Sequence, residues 1–316
     1  MKYHVIKLRF QSAVHFGGGL LESAGLNLTA DTLFSAICHE MLLQKGAEGI
    51  DRLVDEVRAG RLKISDAFPF SEQNLFLPKP AERIQSSEIS DTDDSSVKKM
   101  FKKLRYIPVQ DLHDFLSGTM SQTKCRQILE MIHSLGTYYL KTNVRVYDGQ
   151  DKDPDPYYVG GYRFRENNGL WFVLCAENDQ LMQKCADIIH ALEYSGIGGK
   201  RSSGYGRFTV DVEEPSLELK EMLEGIGERY MSLSSALPKE NELESVLPDA
   251  SYILEKHSGF VCSDTYADSP QKKREMHLFA SGSCFSRCFQ GDVFDVSDGG
   301  AHPVYRYAVP LMLRVR

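Results

Sequence analysis

A helical stripe that runs into a glycine-dense, cation-bearing loop and then straight into a strand is the feature of this sequence that leaves the fewest folds open. Leu181, Met182, Cys185, Ile188, Ile189 and Leu192 recur at helical spacing over residues 179–194. Phe208, Val210 and Val212 alternate with polar residues, as in a half-buried strand. Between them lie glycines at 196, 198, 199, 204 and 206, the cations Lys200, Arg201 and Arg207, and no acidic residue from 195 through 208. The order helix, glycine loop, strand is the second half of a βαββαβ ferredoxin-like unit, a fold shared by many RNA-binding modules.

Two familiar phosphate fingerprints fail on these residues. A P-loop requires glycine where Tyr194 stands and Ser or Thr where Arg201 stands. A dinucleotide fingerprint follows a strand and opens a helix, which reverses the order found here. What remains is a loop whose backbone flexibility and clustered cations suit a concave anion site, against the plain alternative of a connector. A connector needs no cluster of cations, so the anion site is preferred.

A chain of 316 residues is long enough for two domains, each with its own core. Apolar content of 42% beside 26% charged residues is that of a soluble globular protein. A net charge of −7 argues against a protein that coats nucleic acid unaided, but leaves room for a local basic groove. Cysteines at 38, 125, 175, 185, 262, 284 and 288 form no CxxC pair, so neither a disulfide scaffold nor a zinc ribbon is indicated. Cys284 and Cys288 read as buried thiols, and the sequence calls for no metal and no cofactor. The chain starts on a strand pattern and has no apolar run near the ~20 residues of a membrane span, which gives the expectation of a cytoplasmic protein without a membrane partner.

Along the chain, residues 3–10 alternate, with His4, Ile6, Leu8 and Phe10 on the apolar face and Tyr3, Val5, Lys7 and Arg9 on a face read as solvated. A second glycine cluster, His15-Phe16-Gly17-Gly18-Gly19, precedes a helix capped by Thr29 or Asp31, with the stripe Leu33, Phe34, Ile37, Cys38 and Met41. A short helix over 50–57 and a single strand over 62–70 follow, then the extended stretch 75–80. Serines and acids over 86–94, followed by lysines up to Arg105, read as a mobile protrusion. Asp111 and Ser121 are expected to cap helices. Strands over 157–164 and 170–176 flank Glu166-Asn167-Asn168-Gly169, whose chemistry is that of a hairpin turn. The acidic stretch from Glu213 to Glu228 reads as a connector to a strand-rich second half with strands over 230–237, 252–262, 276–289 and 304–315. If the first and last strands of the first unit share a sheet, the two glycine clusters converge on one ligand.

Gly196-x-Gly198 and Gly204-x-Gly206 resemble the glycine-rich loop of the repeat-associated mysterious proteins (RAMPs) of CRISPR systems. His15-Phe16-Gly17, Ala30-Asp31-Thr32-Leu33-Phe34-Ser35-Ala36, Asp66-Ala67-Phe68-Pro69-Phe70 and Leu77-Pro78-Lys79-Pro80, in that order, are similar to the subunit-four family of the type III-A Csm effector complex. The resemblance implies an α+β protein of two ferredoxin-like (RRM-like) units. The first, over 1–212, carries a thumb-like insertion at about 80–110, and the second, over 213–316, is degenerate and strand-rich. It also implies a non-catalytic subunit that grips the repeat-derived 5′ handle of the crRNA. Its expected partners are the large polymerase-like effector subunit, the adjacent RAMP backbone subunit, and target RNA near the thumb. Carried over, Gly198, Gly199, Lys200, Arg201, Ser202, Ser203, Tyr205 and Arg207 face the handle. His15, Phe16, Gly17 and Gly18 lie beside it, and Lys141, Asn143 and Arg145 add contacts. Arg201 and Arg145 suit forked phosphate contacts, and Tyr205 suits base stacking, with packing on the neighbouring helix as its alternative.

Two other readings stay open. Related endoribonucleases cut RNA without metal, and His15 with Lys200 or Arg201 has the chemistry for general acid/base work and charge stabilisation. A scaffold that touches no RNA is the third. Asp31, Asp66 and Asp111 sit at cap or strand-end positions and form no recognisable metal-ligand set.

Overall fold

A computed structural model describes residues 1–17, 19–72, 74–82, 95–147, 153–263 and 265–316. Its centre is a seven-stranded sheet. β1 (Lys2–Phe10) lies between β8 (Asn168–Ala176) and β9 (Phe208–Glu213), antiparallel to both. β2 (Leu62–Ile64) and β3 (Phe68–Ser71) lie end to end along the other edge of β8, and β4 (Asn74–Pro78) and β5 (Tyr106–Pro108) extend the sheet outward from β3. The expected single strand over 62–70 is therefore two strands. The break falls where Asp66 turns its carboxylate inward to accept the Ala30 amide at 2.7 Å, the Ser235 amide at 3.1 Å and the Ser235 hydroxyl at 3.0 Å.

One sheet face carries α1 (Ala30–Lys45), α2 (Ala47–Arg58) and α6 (Asp179–Ser195). Ile6, Leu8, Phe172 and Leu174 pack there against Leu33, Phe34 and Ile37 of α1 and Met182, Ile189 and Leu192 of α6, as the helical stripes predict. Each such side chain contributes roughly 1.5–3 kcal/mol by leaving water. Thr29 caps α1 by accepting the Thr32 amide, and Asn178 caps α6 by accepting the Leu181 amide.

The opposite face, expected to be solvated, is covered. Val5, Trp171 and Val173 pack with Leu219 and Leu223 of α7 (Leu217–Glu224) and with Met231 and Leu313. Lys7 is 4% exposed and pairs with Glu213, while Arg9 pairs with Asp211. The acidic stretch read as a connector thus includes a docked helix whose glutamates face away from the buried Leu219 and Leu223. A strand buried on both faces reads as a continuous apolar run, and Leu170-Trp171-Phe172-Val173-Leu174-Cys175-Ala176 is one.

The halves do not keep separate cores. Val293, Tyr307 and Val309 join the cluster beneath α1 and α6. Asp31 accepts the Tyr307 amide at 3.0 Å and stands 3.5 Å from the guanidinium of Arg306, which is 1% exposed. Tyr307 in turn bonds the Ile64 amide through its hydroxyl at 2.9 Å. In the C-terminal half, β10 (Tyr230–Ser232) lies between β13 (Cys284–Phe285) and β16 (Met312–Arg314). β11 (Leu254–His257) pairs with β12 (Met276–Phe279), and β14 (Asp292–Asp295) pairs with β15 (Tyr305–Ala308). α8 (Leu243–Val246) is a single turn. The expected long strands are cut short because turns such as 280–283, held by Ser283 donating to the Ala280 carbonyl, redirect the chain.

Of the expected protrusion, residues 83–94 lie outside those described. The rest is packed: α3 (Ser95–Lys103), α4 (Leu112–Ser117) and α5 (Gln122–Ser134) surround Val97, Phe101, Leu104, Ile107, Phe115, Cys125 and Ile128, a separate small core. Val97, Phe101 and Leu104 recur at helical spacing, so the lysines between them mark the outer face of a helix rather than a mobile finger. Ser121 caps α5 as expected, but Asp111 makes no side-chain cap bond and pairs with Lys124 at 3.0 Å.

The element that stands out into solvent is a two-stranded arm, β6 (Gly136–Arg145) with β7 (Asp155–Phe164). The expected hairpin between 157–164 and 170–176 does not form, because both edges of β8 are already taken by β1 and by β2 with β3. All seven cysteines are free; Cys284 is buried, but Cys288, expected to be buried, is exposed. Among the described residues no helix is long and apolar enough to cross a membrane.

Candidate nucleic-acid interface

β1 and β9 pair so that Phe10 faces Phe208, which brings the segment leaving β1 against the loop entering β9. The Gly206 amide donates to the Ala13 carbonyl at 2.8 Å, and the Gly199 amide donates to the His15 carbonyl at 2.9 Å. The Arg207 amide donates to the Ser12 hydroxyl at 3.0 Å. The two glycine clusters therefore meet. They lie so close that a β-carbon on Gly198 would stand 2.8 Å from the Phe16 ring, and one on Gly199 would stand 2.7 Å from the His15 ring.

Most loop amides hold the loop rather than face outward. The Gly196 amide bonds Leu192, the Ile197 amide bonds the Gly206 carbonyl at 3.0 Å, and the Ser203 and Gly204 amides close a 3-10 turn on Lys200 and Arg201. Gly198 and Gly206 adopt φ of +89° and +76°, a region that side chains rarely reach. Arg201, Ser202, Ser203 and Arg207 project into solvent, and Lys200 is half-buried. Among the described residues, Lys141, Lys200, Arg201 and Arg207 form no ion pair. Unneutralised cations on a rigid, convergent turn make an anion-attracting surface on an otherwise acidic chain.

The arm forms the neighbouring wall. Val14 bridges Tyr162, the Gly160 amide donates to the Leu21 carbonyl, and His15 Nδ1 donates to the Gly160 carbonyl at 2.8 Å. Lys141, one position from the Leu140–Gly160 pair, stands at this junction. Asn143 and Arg145 follow on the same strand face, and at about 3.4 Å per residue Arg145 is roughly 14 Å further out than Lys141. Arg145 also bonds Tyr147, which holds its pKa above the ordinary arginine value.

Two expected residues are placed differently from their assigned roles. Tyr205 is buried against Ala13, Val159 and Tyr157, so its ring is not presented for base stacking; it packs on the arm rather than on the neighbouring helix. His15 is 9% exposed, its ring wedged beside Gly17 and Gly199. Gly18 lies outside the described residues. The exposed aromatics beside the loop and on the arm are ones that sequence reasoning missed: Tyr194, 91% exposed just before the loop, Tyr158, and Tyr138, whose ring also packs edge-on against Tyr162. Tyr194 falls off the apolar stripe of α6, which was the available signal. Among the described residues no group of His, Cys, Asp and Glu is arranged to hold a metal ion.

The RAMP superfamily model matches residues 7–209, most of the chain. The CRISPR Csm4 C-terminal domain model matches residues 226–315. Proteins described as CRISPR system Cms protein Csm4 match nearly end to end. That of Mycobacterium tuberculosis (strain CDC 1551 / Oshkosh) is 37% identical over 95% of this chain and 93% of its own length. That of Streptococcus thermophilus is 33% identical over 100% of this chain and 99% of its own. The same fold occurs in the crystal structure of a Csm3-Csm4 subcomplex in the type III-A CRISPR-Cas interference complex, with TM-score 0.68, 19% identity, and 99% of each chain covered. It occurs again in a Csm1-Csm4 cassette in complex with cA4, with TM-score 0.63, 21% identity, and 100% and 98% of the chains covered. The chain is a RAMP-superfamily protein, as the glycine loop and the motifs beside it suggested. Within that superfamily it belongs to the Csm4 family.

Proposed function

We propose that this chain is a non-catalytic subunit of a type III-A CRISPR effector that holds the repeat-derived 5′ handle of the crRNA. It would also link the large polymerase-like subunit to the RAMP backbone. The observation that carries the reading is the hydrogen-bonded meeting of the 13–17 turn with the 196–207 loop, which leaves Arg201 and Arg207 facing outward and without an ion-pair partner among the described residues. Family membership and the partners named for the structural neighbours support it. A cytoplasmic location belongs to the same proposal.

Two ferredoxin-like units, divided near residue 212, remain part of this reading. The order β9-β1-β8 with β2 and β3 is consistent with a βαββαβ unit, and β16-β10-β13 parallels its β9-β1-β8 part. The thumb-like role near target RNA suits the β6–β7 arm better than residues 80–110, because the arm projects and the described part of that segment is packed.

Reversing charge at Arg201→Glu and Arg207→Glu is expected to weaken binding of repeat-derived RNA at least tenfold. The slope of log K against log salt should flatten by about 0.7 for each phosphate that the variant no longer neutralises. Unchanged affinity and slope would leave a scaffold that does not touch RNA. The endoribonuclease alternative puts general acid/base work on His15. A ring 9% exposed, with Nδ1 committed to the Gly160 carbonyl, is poorly placed for that work. Repeat RNA incubated with the full chain in EDTA should stay intact; cleavage that disappears in His15→Ala would reverse this assignment.

A further inference from the structure

His39 and Leu42 line two depressions at once, one on each side of α1. Towards the glycine loop, the depression is a small groove between α1 and α6 that includes Arg201. Glu40, the acid in that groove, is held by the Ser195 hydroxyl at 2.9 Å and by Gln44. On the far side is a half-open cavity of about 320 Å³ lined by α1, α2, residues 261–263, Thr265 and residues 302–305, with Lys273 on its wall. The two depressions adjoin at His39 and Leu42, and His39 lies near enough to feel the charge of both Arg201 and Lys273, so they make a two-part trough with a cation on each side. Among the described residues neither cation has an ion-pair partner.

The cavity is lined by the apolar Ile50, Val261, Val304 and Tyr305 and by the hydroxyl residues Ser35 and Thr265. His302 there is already committed: Nδ1 donates to the Pro303 carbonyl and Nε2 accepts from Ser263. Burial, and after it Asp31, pushes the Cys38 thiol up to about 12, so it stays protonated and offers no nucleophile. Burial together with Arg201 and Lys273 lowers the His39 pKa, which keeps that ring neutral between two cations. Asp51 is the acid at the cavity, on α2.

We propose that this trough carries single-stranded RNA onward from the glycine loop, with one nucleotide seated in the cavity and phosphates on Arg201 and Lys273. The inference rests on the reading that the glycine loop holds RNA. An apolar lining that includes a tyrosine, together with hydroxyls and nearby cations, is the environment a base and its flanking phosphates require. The volume is at the small end for a ligand site and suits one nucleotide rather than a helix. Continuity with the loop through Arg201 favours RNA over a separate small anion.

The test measures binding of fluorescein-labelled repeat-derived RNA to the purified full chain, with oligonucleotides of about 4 and about 12 nucleotides, the span of single-strand site sizes. Lys273→Glu is expected to weaken the longer RNA about tenfold, to flatten its salt slope by about 0.7, and to leave the shorter RNA unchanged. Ser35→Phe, which fills the cavity without altering charge, should reproduce the length-dependent loss. Arg201→Glu should weaken both lengths. Lys273→Met keeps the aliphatic stem and replaces the glutamate variant if that variant melts early. If Arg201→Glu weakens binding while the Lys273 and Ser35 variants bind both lengths normally, the trough proposal is overturned and the loop assignment stands. If none of the variants alters binding, both fall. If Lys273→Glu and Ser35→Phe leave RNA binding intact but reduce capture of the backbone or large subunit, the cavity takes a protein segment and the proposal is again overturned.

Discussion

Gly206→Ala is expected to disable the glycine loop while the rest of the chain stays folded. At φ +76° an alanine costs about 1–2 kcal/mol for left-handed backbone. Its β-carbon would also sit 2.0 Å from the Ile197 carbonyl oxygen, a backbone atom that cannot swing aside. The loop must open, which breaks the Ile197 bond to Gly206 that closes the loop on itself and the Gly206 bond to Ala13, one of those that hold it against the first turn. Gly204→Ala is the control: its φ is +84°, but nothing lies within 4 Å of the added carbon, so only the conformational cost applies. The alanine at 206 should therefore lose RNA binding by tenfold or more, and the alanine at 204 by much less. Both are expected to melt within a few degrees of the parent, at roughly 2–4 °C per kcal/mol. Equal RNA affinity for the two variants would show that the meeting of the turns does not govern binding.

The helix, loop and strand over 179–213 were legible because periodicity and glycine placement act locally, and the caps Thr29 and Ser121 follow from the same local chemistry. The covering of the second sheet face was harder to see. Val5 and Lys7 alternate like a solvated strand, yet Lys7 is buried because Glu213, more than 200 residues away, neutralises it. The continuous apolar run of β8 was the signal that both faces are covered, and it outweighs the alternation of β1. The arm was misassigned for a related reason: turn chemistry at 166–169 marks a reversal, but the pairing partner depends on which strand edges remain open. Within the site, glycines and cations could be named from sequence. The exposure of Tyr194 follows from its place off the apolar stripe of its helix, but the burial of Tyr205 depends on packing across Ala13 and Val159, which no local pattern encodes.

Asp66 shows how a residue in one of the family-like stretches acts through packing, and it leads to the other large expected effect. Burial pushes its carboxyl up to about 6, against hydrogen bonds from Ala30 and Ser235 that lower it. A carboxyl whose folded pKa is raised contributes stability that is fully present below the unfolded value of 3.8. That contribution is lost as pH rises through about 6. The shift corresponds to about 3 kcal/mol between the two limits. Asp66→Asn keeps an acceptor for the Ala30 and Ser235 amides and presents an N–H to the Ser235 hydroxyl, with no charge to desolvate. The asparagine variant should therefore gain on the parent as pH rises from 4 to 7, by up to about 3 kcal/mol in urea unfolding. Asp66→Ala removes every acceptor and leaves those donors buried and unpaired, at about 1–3 kcal/mol each. Its net loss at pH 5, where the parent carboxyl is mostly protonated, should be at least about 2 kcal/mol. Because these bonds join the start of α1 to Ser235 of the C-terminal half, the alanine variant should also expose the seam between the halves to protease before the core beneath α6. Parallel stability curves for parent and asparagine variant across pH 4–7 would refute the buried-carboxyl account.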